Sequence, residues 1–219
     1  MKNIGVFISG GGSNLQTIIE AIDNGDIAAR ISLVISSRKG VYGLDRAKEH
    51  GIPYGVVAKG DYKDPDSFSK AILELLEEKR VDLVVLAGYL NILPKKVVER
   101  YKNRIINIHP SLIPAFCGRG YYGKRVHQAV LDYGARVTGA TVHLVDEGTD
   151  TGPIILQQPV EVLPEDDADS LAKRVLKVEH QLLPKALRLL TEDRISVDGR
   201  RVIIKNRSEE HTSELQSHH

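Results

Sequence analysis

The first 110 residues alternate short apolar runs with amphipathic stretches, and that alternation leaves few folds open. Lys2 to Ser9, Ile31 to Ser36, Tyr54 to Ala58, Asp82 to Ala87 and Arg104 to Ile108 have strand length and are rich in Ile, Val and Leu. Between them, Leu15, Ile18, Ile19 and Ile22 recur at helical spacing and stop at Asn24-Gly25. Tyr42 to His50 reads as a helix closed by Gly51, Asp66 to Arg80 as a helix with Phe68, Ile72, Leu75 and Leu76 on one face, and Pro94 to Tyr101 as a short one. Strand following helix in this way requires right-handed crossovers, and hence a parallel sheet covered on both faces. The Asp82 to Ala87 run is apolar at every position after its first, so it belongs in the middle of that sheet.

Beyond residue 108 the pattern changes. Thr138 to Val145 and Pro153 to Leu163 read as strands on either side of a glycine-flanked acidic loop. Asp167 to Glu192 is a long helix, and Ile195 to Lys205 a hairpin turning at Asp198-Gly199. The expected fold is α/β: one Rossmann-like domain over residues 1–206, with a mostly parallel central sheet, helices on both faces and a mixed C-terminal part. Residues 207–219 show no apolar periodicity, and Arg207 to Ser217 read like the in-frame translation of a sequencing-library adapter. They are set apart as a non-native tail, a natural polar tail being the alternative. Removing its one arginine and three glutamates takes the formal net charge from +1 to +3. That balance excludes a dedicated nucleic-acid binder and an acidic disordered chain, and it suits small anionic ligands. The single cysteine, Cys117, excludes an internal disulfide framework and a Cys-rich zinc site. No apolar run approaches the roughly 20 residues of a membrane span, and the N-terminus reads as a first strand rather than a signal peptide, so the expected compartment is the cytoplasm.

Two segments carry candidate chemistry. Ser9-Gly10-Gly11-Gly12-Ser13-Asn14 joins the first strand to the first helix, where free N–H groups and the helix dipole favour an anion. Ser13 and Asn14 are also good helix caps, which is the structural alternative. A dinucleotide fingerprint would need a third glycine where Leu15 stands and an acidic residue after the second strand, where Ser37-Arg38 stands. The loop therefore suits a single phosphate better, although Arg38 keeps an NADP enzyme open. The second segment is Asn107-Ile108-His109-Pro110-Ser111 at the carboxyl end of the fifth strand. Period two puts Asn107 and His109 on one face. Asn supplies a neutral donor for a developing oxyanion, and His the side chain suited to proton transfer near neutral pH. The acidic loop offers Asp146 and Asp150 as candidates to orient the imidazole. With no Gly-x-Ser-x-Gly elbow in the chain, Asn, His and Asp argue for direct transfer between substrates rather than an acyl-enzyme.

ISGGGSNL, LAGYLNIL, NIHPSLIP, DEGTDTGPIIL and VEHQLLP follow one another in that order. Together they resemble the phosphoribosylglycinamide formyltransferases of purine biosynthesis, and the resemblance spans residues 1–205. It implies a formyltransferase fold. It implies transfer of the formyl group of the cosubstrate 10-formyltetrahydrofolate to the amine of glycinamide ribonucleotide, without a metal. It implies that Gly12, Ser13 and Asn14 bind the ribonucleotide phosphate and that Glu179 contacts the same substrate. Leu90, Asn91, Ile92 and Leu93 would line the folate pocket together with Asn107. Asn107, His109 and Asp150, rather than Asp146, would be catalytic. The expected partners are these two small molecules, with no nucleic acid and no membrane, on a monomer or weak homodimer.

Two departures bear on the folate tail. Asn91 and Pro65 stand where many relatives carry basic residues, and Lys63 is the expected substitute. Phe116 to Gly123, with three glycines and two tyrosines, replaces a shorter loop and reads either as a lid over the formyl site or as a surface loop. Cys117 has no evident base or metal partner and reads as incidental. The rival functions are a formyltetrahydrofolate deformylase-like hydrolase using water as acceptor, a methionyl-tRNA formyltransferase, and a non-catalytic sugar-phosphate binding module.

Overall fold

A computed structural model of the chain describes residues 1–206; the adapter-like stretch 207–219 lies outside the described residues. Seven strands form one sheet: β1 (Lys2–Ile8), β2 (Ala29–Ser36), β3 (Tyr54–Val56), β4 (Leu83–Leu86), β5 (Ile105–His109), β6 (Val137–Leu144) and β7 (Ile154–Glu161). Their spatial order is β3-β2-β1-β4-β5-β6-β7. The first five pair in parallel, while β6 pairs antiparallel with both β5 and β7. The helices are α1 (Ser13–Asp23), α2 (Tyr42–Glu49), α3 (Pro65–Glu78), α4 (Lys95–Arg100), α5 (Lys124–Tyr133) and α6 (Ala168–Thr191). The hairpin of β8 (Ile195–Asp198) and β9 (Arg201–Ile204) closes the described chain.

The central position expected for β4 is where it lies, fourth of seven, with all four residues buried. Leu83 and Val85 point to a core shared with Leu15 and Ile18 of α1 and Leu171 and Val175 of α6. Val84 and Leu86 point to the other face, against Phe68 and Ile72 of α3 and Val97 of α4. Period-two alternation along one strand thus feeds two cores and fixes which helices cover which face.

The structure corrects the sequence reading in three places. Helix α5 was not expected: Val126 and Val130 are its buried apolar positions, and the third buried side chain is His127, so the apolar stripe is thin. Strand β3 stops at Val56, two residues early, because Lys59–Asp61 form a tight 3₁₀ turn. Strand β7 stops at Glu161, because the Leu163 N–H donates to the Asp166 carboxylate (2.7 Å) and turns the chain toward α6.

Sheet order reverses at β1, which has β2 on one side and β4 on the other. A crevice opens beyond the carboxyl ends of strands at such a switch point. The glycine loop follows β1, residues 88–93 follow β4, and His109-Pro110-Ser111 follow β5, so topology brings these segments to one edge. Among the described residues, no helix is long and apolar enough to cross a membrane.

Candidate active site

The glycine loop is held by packing as much as by conformation. Gly12 occupies the N-cap position of α1 with φ 70° and ψ 30°, in the left-handed region. A Cβ there would sit 2.8 Å from the Gly43 Cα of α2, and a Cβ on Gly43 would sit 2.4 Å from Ile8 Cδ1. The Gly43 N–H donates to the Gly10 carbonyl (3.1 Å), and Arg46 Nε reaches back from α2 to the Gly11 carbonyl (2.8 Å). The capping alternative for Ser13 and Asn14 is not realised, because no side chain caps α1. Its first amides stay free of side-chain partners, which is the arrangement that receives an anion.

Asn14 points elsewhere. Its Nδ2 donates to Glu179 Oε2 of α6 (2.9 Å), and both side chains are buried. Burial pushes the Glu179 carboxyl up to about 7, against the Asn14 hydrogen bond that lowers it. Glycine loop and long helix are thereby tied together, and Glu179 lines a cavity of about 520 Å³ with Asn107, His109 and Asp150.

Strand pairing places Asn107 and His109 in that wall. Asn107 and His109 lie opposite His143 and Thr141 in the β5–β6 register, and directly opposed residues share a face. Asn107 Nδ2 lies 3.2 Å from His143 Nε2 and donates to Asp150 Oδ1 at 3.5 Å. His143 Nδ1 faces the Leu144 carbonyl (2.8 Å), which only accepts, so that nitrogen carries a hydrogen. Thr141 Oγ1 donates to the Ser111 carbonyl (2.6 Å) and accepts from the Ile113 N–H (3.1 Å), which pins the turn after His109.

His109 is 4% exposed, and oxygens face both of its ring nitrogens. Nε2 donates to the Phe116 carbonyl (2.9 Å), and Nδ1 lies 3.6 Å from Asp150 Oδ2. Burial lowers the imidazole pKa, and the Asp150 charge opposes that shift. Burial alone would raise the Asp150 carboxyl. The imidazoles of His143 and His109 and the Gly118 N–H (2.9 Å) outweigh it and hold the group below the ordinary carboxylate range. Asp150 reaches this position from a left-handed turn, φ 57°. Asp146 does different work: its Oδ1 accepts from the Gly148 N–H (3.0 Å) and Thr151 Oγ1 (2.5 Å), which staples the acidic loop.

The segment read as a lid or a surface loop lies against this cluster. Phe116 and Gly118 contact His109 and Asp150 through their backbones, and Tyr121 and Tyr122 line the cavity. Leu90, Asn91, Ile92 and Leu93 line it as well, and the Leu90 N–H is anchored on Ser9 Oγ (2.9 Å). Lys63 is not brought there. It is exposed ahead of α3 and outside the cavity wall, where Arg119 and Lys124 are the cationic residues. Sequence reasoning missed His143 and His127. For His143 the available signal was its period-two spacing from Thr141; for His127 it was a polar residue beside Val126, three before Val130. A second depression, about 750 Å³, lies around Arg30, His50 and Glu78, and none of Asn107, His109 and Asp150 lines it.

Comparison with known proteins shows the family. The profile of a family described as formyl transferase matches residues 2–187. The chain is 42% identical over 195 residues to the chloroplastic phosphoribosylglycinamide formyltransferase of Arabidopsis thaliana, covering 89% of this chain and 67% of that protein. It is also 42% identical to the phosphoribosylglycinamide formyltransferase of Haemophilus influenzae, covering 89% of this chain and 90% of that one. The crystal structure of glycinamide ribonucleotide transformylase 1 from Symbiobacterium toebii superposes with a TM-score of 0.89 at 42% identity, over 94% of this chain and 95% of that one. The chain belongs to the formyl transferase family, and within it to the phosphoribosylglycinamide formyltransferases.

Proposed function

We infer that this chain transfers the formyl group of 10-formyltetrahydrofolate to the amine of glycinamide ribonucleotide, giving formylglycinamide ribonucleotide and tetrahydrofolate for purine biosynthesis. One observation carries the assignment of roles. The Asn107–His109–Asp150 cluster lines one cavity together with Glu179 of α6, and Glu179 is the residue that accepts from Asn14 of the glycine loop. A phosphate on the free amides of Gly12, Ser13 and Asn14 would leave the rest of the ribonucleotide to pass Glu179 and present its amine near His109. The folate would lie against Leu90 to Leu93, where backbone groups next to apolar side chains suit a flat heterocycle. A single cysteine and soluble substrates fit a cytoplasmic reaction.

The step makes one C–N bond and breaks another. The amine nitrogen attacks the formyl carbon, and the carbonyl electron pair becomes an oxyanion. Asn107 Nδ2 and a His109 N–H are the donors available to that oxygen, and removing one such donor typically costs about 10²–10³ in turnover. Asp150, ionised beside His109, supports an imidazolium and takes up the proton that the attacking amine loses, directly or through water. His109 supplies the proton that the departing folate nitrogen gains. In the ligand-free protein His109 Nε2 is engaged by the Phe116 carbonyl, so proton delivery from that nitrogen requires the 116–118 backbone to give way.

The test follows folate absorbance with 10-formyltetrahydrofolate, with and without glycinamide ribonucleotide. Turnover only with the ribonucleotide is expected. Turnover with water alone would select the deformylase reading, and ribonucleotide binding without turnover a binding module.

A further inference from the structure

Helix α5 carries a polar side chain that the transfer chemistry above leaves unused. His127 is 4% exposed, yet neither of its ring nitrogens has a hydrogen-bond partner among the described residues, and Nδ1 is fully enclosed. Buried polar groups are almost always hydrogen-bonded, because desolvation without a partner is costly. An imidazole kept in that condition on a cavity wall is a group whose partner arrives with a ligand.

Its position says which ligand. His127 and Lys124 line the cavity from α5, and Asp169, Ala172, Leu176 and Glu179 line it from α6. The Lys124–Asp169 ion pair (2.7 Å) joins the two helices at one end of this wall, and the Asn14–Glu179 pair joins α6 to the glycine loop at the other. His127 stands one helical turn in from Lys124, on the helix that packs against α6, whose cavity face ends at Glu179 and its Asn14 partner in the glycine loop. Burial and then the nearby His109 charge lower its pKa, so it meets its ligand as a neutral ring with one donor and one acceptor.

We propose that His127 is a ribonucleotide-binding residue whose imidazole hydrogen-bonds the polar stretch between phosphate and reacting amine, the ribose hydroxyls or the glycinamide amide. This rests on the function inferred above. The test is His127→Leu, which keeps bulk and removes both nitrogens, with His127→Gln beside it.

For His127→Leu, KM for glycinamide ribonucleotide is expected to rise about tenfold, with KM for 10-formyltetrahydrofolate within twofold of wild type. The ligand-free Tm should be equal or higher, since no hydrogen bond is lost, and the Tm rise on adding glycinamide ribonucleotide should shrink. His127→Gln should recover part of the affinity. An unchanged KM for the ribonucleotide, or a lowered Tm with both KM values raised together, would overturn the proposal. Failure of wild-type protein to shift its Tm with glycinamide ribonucleotide would overturn the functional reading itself, and that outcome is separate from any effect of the variants.

Discussion

Two glycine-rich segments reach the cavity, one along its wall and one through the Asn14–Glu179 hydrogen bond, and they use glycine for different reasons. In the loop after β1, Gly12 is both left-handed and crowded, with Gly43 2.8 Å from where its Cβ would lie. In the segment before α5, Gly118, Gly120 and Gly123 have φ of 90°, 93° and 54°, yet a Cβ on any of them meets nothing within 4 Å. The first loop is locked between two helices. The second has open space at each of its glycines and is held at its start by His109 and Asp150. Ligand contact on a rigid frame and covering of the reacting groups place different demands on a backbone, and the two segments differ accordingly.

The largest effect is expected where the second segment meets the chemistry. Asp150→Ala removes the carboxylate facing His109 and the acceptor of the Gly118 N–H together. Turnover should fall by about 10²–10³ or more, with folding retained by circular dichroism. His109→Ala should lose a similar amount. Near-normal turnover in either folded variant would separate the segment from the chemistry and break the comparison.

The next effect lies on the locked loop's side, at Glu179, and appears in stability against pH. Its folded pKa of about 7 lies above the ordinary value of 4.5. Below about pH 4.5 the carboxyl is protonated in both states. As pH rises from there toward 7, the unfolded chain gives up its proton first, so the folded state loses stability, by about 3 kcal/mol at most. Glu179→Gln keeps an acceptor for Asn14 and cannot ionise. Its stability advantage over wild type in urea titrations should open between pH 4.5 and 7 and stay level above. A constant difference across that range would show that Glu179 is not buried as an acid.

Gly12→Ala measures the lock directly. Left-handed strain costs about 1–2 kcal/mol, and displacing Gly43 adds an overpacking cost of about 1 kcal/mol or more. A loss near 2–3 kcal/mol in urea unfolding is expected, together with a raised KM for the ribonucleotide.

How far the sequence could be read depended on whether a residue's role is local or pairwise. Strand β4 was legible because burial on both faces writes itself as an unbroken apolar run, Leu83 to Leu86. Asn107 and His109 were legible because period two is local. The choice between Asp146 and Asp150 was not: it turns on a left-handed residue and on which carboxylate Gly148 and Thr151 engage, and it came from the family resemblance instead. His143 becomes visible only once the antiparallel register sets it opposite Asn107. Arg46 reaches the glycine loop from another helix, and no spacing announces it. Helix α5 was hidden because a buried histidine interrupts its stripe.

Gly120→Ala should have the smallest effect, and it sharpens the comparison most. Its φ of 93° lies where an L residue is strained, but the space for a methyl group is open. The cost is therefore conformational alone, about 1 kcal/mol, and Ala also loses less chain entropy on folding than Gly, which offsets part of it. Unfolding in urea should show a loss of no more than about 1 kcal/mol, clearly below that of Gly12→Ala. Turnover should change by less than tenfold, because neither Gly118 N nor the Phe116 carbonyl is touched. A loss equal to that of Gly12→Ala would mean that the second segment is packed as tightly as the first, and the distinction between a locked loop and a conformationally shaped cover would fall.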